Sequence, residues 1–337
     1  MAPAANTVVG QRTIRSLSKL RSALPKGVLS HVNGSTWLLK RPVAISGRAV
    51  LSVRGSGQLQ IGTGAFLEAL KGGTVDLEGL SIVGVGSDGR PLDQASRGRG
   101  FLMADGGRLV LKRDRIVDLG YLWDTSFGIS FRESLPGSAV IDCSIDGNYR
   151  GVFTSRAAGV RIIGNQISHS LEYGIDPHTD SSKLVIENNV VTDSAIHGII
   201  LAVGVRSSQV VGNVVDRAGD HGIVLFDRSN DNIVQRNRVS HTFDGMVVLD
   251  SSSNLISDNV FDPVSRFGLR LSGHSQANVI ERNTFGGALL GAYVYGGASG
   301  NSLLDNRFLA NREDLRIRAD APQNRASPIP PKSELGR

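Results

Sequence analysis

The stretch YGIDPHTDSS places a carboxylate, Asp176, and an imidazole, His178, on either side of a proline. Residues two apart on a β-strand point to the same face of the sheet. An imidazole titrates near neutral pH and can act as a general base, and a neighbouring carboxylate can orient its ring. This pair is therefore a candidate for proton abstraction, provided that the stretch forms a strand.

The elements around the pair follow from an internal repeat. A glycine followed by alternating aliphatic residues recurs every 23 or 24 residues, at Gly128, Gly151, Gly174, Gly198, Gly222, Gly245, Gly268 and Gly291. An asparagine follows fourteen or fifteen residues after each of them from the second onward, at Asn165, Asn189, Asn213, Asn237, Asn259, Asn283 and Asn306. The apolar residues have period two rather than the three-and-four spacing of a helix. The pattern predicts an all-β fold, a single-stranded right-handed parallel β-helix of 23–24-residue coils.

The repeat also divides the chain. Residues 1–30 contain an amphipathic segment that predicts a short helical cap over the first coil, because the ends of a solenoid must be covered. Residues 31–318 are expected to form the β-helix, and the proline-rich residues 319–337 a mobile tail. A polar stretch at 87–100 predicts a long loop from one corner.

The composition restricts the classes of partner that the protein is expected to bind. The net charge of +6 and the pI of about 9.7 favour a polyanion. Nucleic acid is disfavoured because the basic residues are not interleaved with stacking aromatics. No apolar run reaches the ~20 residues that span a bilayer, and MAPAANTVVG lacks the pattern of a secretory signal. Cys143 is the only cysteine, so no intrachain disulfide is expected. No cofactor motif is present, and no metal is expected, since His197 and His221 stack without a third ligand in register.

The alignment of the coils predicts which side chains face outward. Residues two and four positions after each glycine point away from the core, and Asp176 and His178 form the one carboxylate–imidazole pair among them. Basic residues end or follow several of these strands, and we expect them to bind substrate: Arg132, Arg156, Lys183, Arg206 and Arg228.

YGIDPH followed by HGII one coil later resembles the mannuronan C5-epimerases, in particular the periplasmic β-helix type of alginate synthesis. The resemblance extends from RGFLMADGG and FGISF to GLRL. It implies that His178 abstracts the C5 proton of a uronate, that Asp176 orients it, and that Tyr173 or a water returns the proton. It also implies a location outside the cytoplasm and an acidic polysaccharide as substrate.

One position departs from that family. The arginine expected to neutralise the uronate carboxylate would stand at residue 203, which is a valine here. The nearest replacements are Arg206 and Arg156, and Arg156 is favoured because it occupies the equivalent position one coil before His178.

Other functions remain open at this stage. A proton next to a carboxylate is hard to remove, and cations that stabilise the enolate-like intermediate lower the barrier. If the intermediate takes a proton on the opposite face, the reaction is an epimerisation, and if it expels the O4 substituent, it is a lyase reaction. Asp227 and Asp250 suggest the paired carboxylates of a glycoside hydrolase, although no second acid stands beside them. A non-catalytic scaffold that binds an acidic polysaccharide is the remaining alternative.

Overall fold

The computed structural model describes residues 7–92, 97–124 and 126–329. It confirms the parallel β-helix. Each coil contributes one strand to each of three sheets, except that Leu29–Asn33 and Thr36–Leu39 both lie in one sheet, where they pair antiparallel. Each sheet has 13 strands within the described residues. The predicted pairing of each strand with its equivalent one coil away holds along the solenoid, since Ile175 pairs with Val152 on one side and Ile199 on the other.

The first sheet, here the site sheet, contains the strands that follow the repeated glycines. Its strands are β1 Thr7–Gly10, β5 Val43–Ser46, β8 Phe66–Leu70, β11 Phe101–Asp105, β14 Gly128–Arg132, β17 Arg150–Ser155, β20 Tyr173–His178, β23 His197–Ala202, β26 His221–Phe226, β29 Thr242–Leu249, β32 Val264–Ser272, β35 Leu290–Val294 and β38 Glu313–Ile317.

The second sheet precedes the site sheet in each coil. Its strands are β3 Leu29–Asn33, β4 Thr36–Leu39, β7 Gln58–Gly62, β10 Ser81–Val85, β13 Arg115–Val117, β16 Ser144–Asp146, β19 Gln166–Ser168, β22 Val190–Thr192, β25 Val214–Asp216, β28 Arg238–Ser240, β31 Val260–Phe261, β34 Thr284–Gly286 and β37 Arg307–Leu309.

The third sheet follows the site sheet. Its strands are β2 Thr13–Ile14, β6 Val50–Arg54, β9 Thr74–Glu78, β12 Arg108–Lys112, β15 Ala139–Ile141, β18 Arg161–Ile163, β21 Val185–Glu187, β24 Gln209–Val211, β27 Ile233–Gln235, β30 Leu255–Ser257, β33 Val279–Glu281, β36 Ser302–Leu304 and β39 Arg325–Ala326.

The core is a column of aliphatic side chains from all three sheets, and stacked asparagines line one corner. The Asn189 amide nitrogen donates to the Asn213 side-chain oxygen at 2.9 Å, and Asn213 donates to Asn237 at 3.0 Å. The side-chain oxygen of Asn213 also accepts the backbone N–H of Asn189 at 3.0 Å. These bonds satisfy buried polar groups at a tight corner and hold successive coils in register.

A short helix, α1 Leu17–Ala23, lies at the N-terminal end. The Ser16 hydroxyl caps it by accepting the backbone N–H of Lys19 at 3.1 Å, and Leu17 and Leu20 are buried against the core. This confirms the helical cap. The described helix is too short and too polar to cross a membrane.

The domain limits at residues 30 and 318 stay a prediction. The segment predicted as a cap also supplies β1 and β2, which pair with β5 and β6 of the solenoid. The described part of the predicted tail supplies β39, which pairs with β36. Residues 330–337 of the tail and 93–96 of the predicted loop lie outside the described residues.

Candidate functional site

The centre of the candidate site is strand β20, which carries Asp176 and His178. The side chains of Ile175 and Pro177 are buried on the core side, so those of Asp176 and His178 point to the outer face of the site sheet, as predicted. In register, His178 pairs with Ser155 on the preceding coil and with Ala202 on the following one.

A cavity of about 380 Å³ opens beside His178 on this outer face. It extends from His178 toward the N-terminal coils. Two larger cavities, of about 710 and 580 Å³, lie at the two ends of the third sheet beside Arg12 and Arg325, far from this pair. The cavity beside His178 is lined by Asp124, Phe127, Arg132, Arg150, Phe153, Ser155, Arg156, His178 and Thr179.

The His178 ring is suited to accept a proton. Its Nδ1 lies 2.6 Å from the hydroxyl oxygen of Thr179, which fixes the ring in place. Burial, followed by the nearby Arg150 cation, lowers the pKa of His178 below the usual value of 6.5. The ring is therefore neutral at pH 7. When Nδ1–H donates to Thr179, Nε2 carries a free lone pair, as a base requires.

Asp176 is fully buried, and its hydrogen-bond partner is Arg150 rather than His178. Oδ2 of Asp176 accepts from Nη1 of Arg150 at 2.5 Å. Burial raises the pKa of Asp176 to about 7, and Arg150 partly opposes this shift. Within the described residues, no direct hydrogen bond joins Asp176 to His178, as the predicted orientation of the ring would require. The contact with Nδ1 of His178 is made by Thr179 instead.

Arg150 links the groups beneath the cavity. Its Nε donates to Glu172 at 2.5 Å, and its side chain is only 11% exposed. The guanidinium carbon lies 4.0 Å from the ring centre of Phe127 and 4.9 Å from that of Tyr173. Such contacts of a cation over an aromatic face are attractive. Two carboxylates and two rings therefore hold this cation in a fixed place.

Two of the predicted substrate-binding arginines line the cavity with His178. Arg132 is held in a two-pronged contact by Asp105, with a distance of 2.9 Å from Nε to Oδ1. Arg156 pairs with Glu133 at 2.9 Å, and about half of each side chain is exposed. An exposed ion pair contributes ~0–1 kcal/mol, so an incoming carboxylate can displace Glu133 at little cost. Arg156 is therefore the most exposed of the three arginines in the cavity.

The other predicted binding residues do not line this cavity. Lys183 is exposed, Arg206 lies 3.9 Å from Asp180, and Arg228 pairs with Asp227 at 2.9 Å. Val203 packs against the aliphatic cluster on the outer face of later coils, formed by Ile200, Ala202, Val224 and Val247. The structure thus places Arg156 near His178 and leaves Arg206 outside.

Tyr173 stands at the opposite end of β20 from His178. Five residues at ~3.3 Å each separate the two Cα atoms by about 16 Å. The Tyr173 ring stacks on His197, with 5.1 Å between the ring centres and 4° between the planes. Burial, then Glu172 and Asp176, raise the pKa of its hydroxyl. The structure therefore does not bring Tyr173 into the cavity beside His178, and its predicted catalytic role stays a prediction.

His197 and His221 stack as expected, and Asp220 approaches them. One ligand atom from each of the three lies within 4.8 Å of the others. The two rings are nearly parallel, however, with 4.9 Å between centres and 9° between planes. A zinc ion lies in the plane of each imidazole at ~2.0–2.1 Å from its nitrogen, and one ion cannot lie in two parallel planes so far apart. In this arrangement the three groups do not fit a metal.

Arg150 and Thr179 were missed by the sequence reasoning. Arg150 stands one residue before its glycine, the position that Tyr173 occupies one coil later and His197 and His221 occupy after that. Polar and aromatic residues thus recur at the position before the glycine. This recurrence is the sequence signal that points to Arg150. Thr179 lies just beyond the strand, where the repeat gives no expectation.

Comparison with known families supports the fold. Residues 94–239 match the family described as the right-handed β-helix region, and residues 202–326 match the one described as periplasmic copper-binding protein (NosD). The first of these confirms the predicted right-handed sense of the solenoid.

Two curated relatives decide the relationship. The mannuronan C5-epimerase of Pseudomonas putida is 26% identical over 298 residues, which cover 82% of this chain and 57% of that protein. The mannuronan C5-epimerase AlgG of Azotobacter vinelandii is 27% identical over 322 residues, or 89% of this chain and 60% of that protein. The chain is a homologue of the mannuronan C5-epimerases. It spans 57% and 60% of the length of these two relatives.

A solved structure shares the whole architecture. The crystal structure of the periplasmic alginate epimerase AlgG superposes with a TM-score of 0.79 at 20% identity. The alignment covers 96% of this chain and 84% of that one. At this identity the likeness establishes the fold, and the chemistry must be argued from the residues of the cavity.

Proposed function

We propose that this protein is a C5-epimerase of a polyuronate, converting mannuronate to guluronate residues in an alginate-like polymer. The observation that carries the proposal is that a neutral histidine and three arginines line one cavity on the outer face of a solenoid. A base beside several cations is what removal of a proton next to a carboxylate requires. The names of the two curated relatives point to the same substrate.

In this mechanism the uronate carboxylate binds Arg156, which gives up its exposed pair with Glu133. Nε2 of His178 takes the C5 proton, and the electron pair of the C–H bond moves into the carboxylate to give an enediolate. The guanidinium of Arg156 stabilises the added negative charge. Arg150 remains paired with its own carboxylates and keeps the pKa of His178 low.

Epimerisation is completed by a proton delivered to the other face of C5. Tyr173 is not among the residues that line the cavity, which favours a water as the donor, and the hydroxide formed is neutralised by the proton on His178. The net reaction neither consumes nor releases a proton. If the same intermediate instead expelled the O4 substituent, the product would carry an unsaturated ring.

The cellular location is inferred from similar proteins. The similar crystal structure is that of a periplasmic alginate epimerase, and the matching NosD family is described as a periplasmic copper-binding protein. We propose that this protein also acts outside the cytoplasm on an exported acidic polysaccharide.

Proton NMR of polymannuronate incubated with the protein in D2O tests the proposal. We expect new guluronate signals with deuterium at C5, and their loss in His178→Gln. The matched control is His169→Gln, an exposed histidine paired with Asp146 on the second-sheet side, which should retain full activity. Absorbance near 230 nm, followed in parallel, detects elimination. Unsaturated product would make the protein a lyase, and an active His178→Gln would overturn the assigned base.

A proton-accepting His178 also fixes the pH dependence. Because the pKa of His178 is lowered, the ring stays neutral to a lower pH than a free imidazole. We expect kcat/KM for polymannuronate to fall on the acid side of its pH profile only below pH 6.5. A profile whose acid limb lay well above pH 6.5 would contradict the assignment.

A further inference from the structure

Described residues between β13 and β14 form one wall of the cavity beside His178. Asp124 from this loop lines the cavity, and Phe127 at its end lies beneath Arg150. Backbone bonds shape the loop, since the N–H of Tyr121 donates to Ser126 at 2.9 Å and that of Ser126 donates to Trp123 at 3.0 Å. The wall is therefore a built feature of the structure.

Two large apolar side chains stand exposed on this wall. Leu122 is 65% exposed and Trp123 57% exposed. Trp123 is the direct neighbour of Asp124, so its Cα lies ~3.8 Å from that of a residue lining the cavity. An exposed indole beside a binding cavity leaves a large apolar surface in water. This exposure is unfavourable unless a ligand covers the ring.

The direction of the cavity shows what would reach the indole. Beyond His178 toward the C-terminal coils, the same outward column carries Ala202, Phe226 and Leu249. Toward the N-terminal coils it carries Ser155 and Arg132. A polyanion bound at His178 therefore extends toward Arg132, two coils or ~10 Å along the axis, where the loop of Trp123 stands.

We propose that Trp123 is a platform on which a pyranose ring of the bound polyuronate stacks, next to the residue that reacts at His178. This inference rests on the proposed function and adds a binding residue to it. A pyranose presents C–H bonds on its face and carries its carboxylate at the edge. An indole on the segment that lines a cavity with three arginines would match both parts of such a residue.

The platform contributes to binding and not to proton transfer, because it touches a sugar that does not react. Aromatic stacking contributes ~0.5–1.5 kcal/mol. For Trp123→Ala we therefore expect KM for polymannuronate to rise about two- to thirteen-fold, with kcat changed less than two-fold. Trp123→Phe should restore most of the loss. Leu122→Ala is the matched control, since it removes an equally exposed apolar group of the same loop, and its KM should stay within two-fold of the wild type.

Fluorescence gives a second readout that does not depend on turnover. The chain has two tryptophans, Trp37 and Trp123. In a Trp37→Phe background we expect polymannuronate to shift or quench the emission of Trp123, and in a Trp123→Phe background we expect no change.

The two readouts separate this inference from the proposed function. Quenching of Trp123 without any epimerised product would support the platform and refute the assigned reaction. Epimerisation with an unchanged KM in Trp123→Ala and no change of its emission would overturn the platform. An equal rise of KM in Leu122→Ala and Trp123→Ala would also overturn it, because a general distortion of the loop would then explain the effect.

Discussion

Replacement of Arg150 by methionine should destabilise the protein by an amount that grows with pH. The substitution keeps most of the apolar stem but removes the cation that faces the buried Asp176 carboxylate. The pKa of Asp176 is about 7 in the folded protein, against an ordinary value of 3.8. Stability from this group is thus fully present below pH 3.8 and is lost as the pH rises through about 7.

The magnitude follows from proton linkage. Arg150 lowers the pKa of Asp176, so in Arg150→Met the folded protein holds this proton to a higher pH while the unfolded chain has released it. Each pH unit adds ~1.4 kcal/mol. Between pH 7 and pH 9 the variant should lose up to about 2.7 kcal/mol more than the wild type. At pH 5.5 Asp176 is protonated in both proteins, and the loss of the largely buried pair with Glu172, which leaves that carboxylate without its cation, should cost about 3–5 kcal/mol.

Urea unfolding followed by far-ultraviolet circular dichroism at pH 5.5, 7 and 9 measures these differences. Arg156→Met is the control, because its exposed pair with Glu133 should contribute less than ~1 kcal/mol at every pH. Adding Asp176→Asn to Arg150→Met should abolish the growth with pH. An equal destabilisation at pH 5.5 and pH 9 would refute the reasoning, since Arg150 would then have no part in holding the charge of Asp176.

Three further substitutions test the site and its scaffold. Thr179→Val removes the hydroxyl 2.6 Å from Nδ1 of His178 and should reduce kcat by ~10²-fold in the NMR assay, whereas Thr179→Ser should retain most activity; equal loss in both would contradict the contact. Asn213→Ala leaves several buried partners without hydrogen bonds and should lower the free energy of unfolding by ~2–4 kcal/mol in urea; a loss below ~1 kcal/mol would count against the ladder. Gly222→Ala would place a methyl group 2.2 Å from Cγ1 of Val239, so we expect a loss of ~1–3 kcal/mol, and a stability equal to the wild type would show that the coils can move apart.

The fold could be predicted from the sequence because the pattern that specifies one coil recurs in many coils. Each glycine and asparagine satisfies a local requirement, and the same requirement recurs in every coil, so chance agreement is excluded. The Asn189–Asn213–Asn237 ladder follows directly from that register. A second ladder runs from Asn232 through Asn254 to Asn278, with steps of 22 and 24 residues.

The candidate site was predictable only in part. The repeat assigns the direction of His178 and brings Arg156 to the neighbouring coil, which is why both line one cavity. It does not state how far a long side chain reaches. Arg150 begins its strand at the far edge and still bonds Asp176, because an arginine stem spans the width between them. Side-chain reach and the course of the loop of Trp123 are properties of packing that the period does not contain.

The absence of an arginine at Val203 has a geometric meaning. A cation at residue 203 would stand on the coil after His178, whereas Arg156 stands on the coil before it, and each neighbouring coil is ~4.8 Å away. If Arg156 serves in place of the arginine expected at residue 203, the spacing between base and cation is kept and its direction along the axis is reversed. The side chains agree, since Ala202 and Phe226 follow His178 in its column while Ser155 and Arg132 precede it. The lining of the cavity therefore favours a polyuronate bound on the N-terminal side of His178.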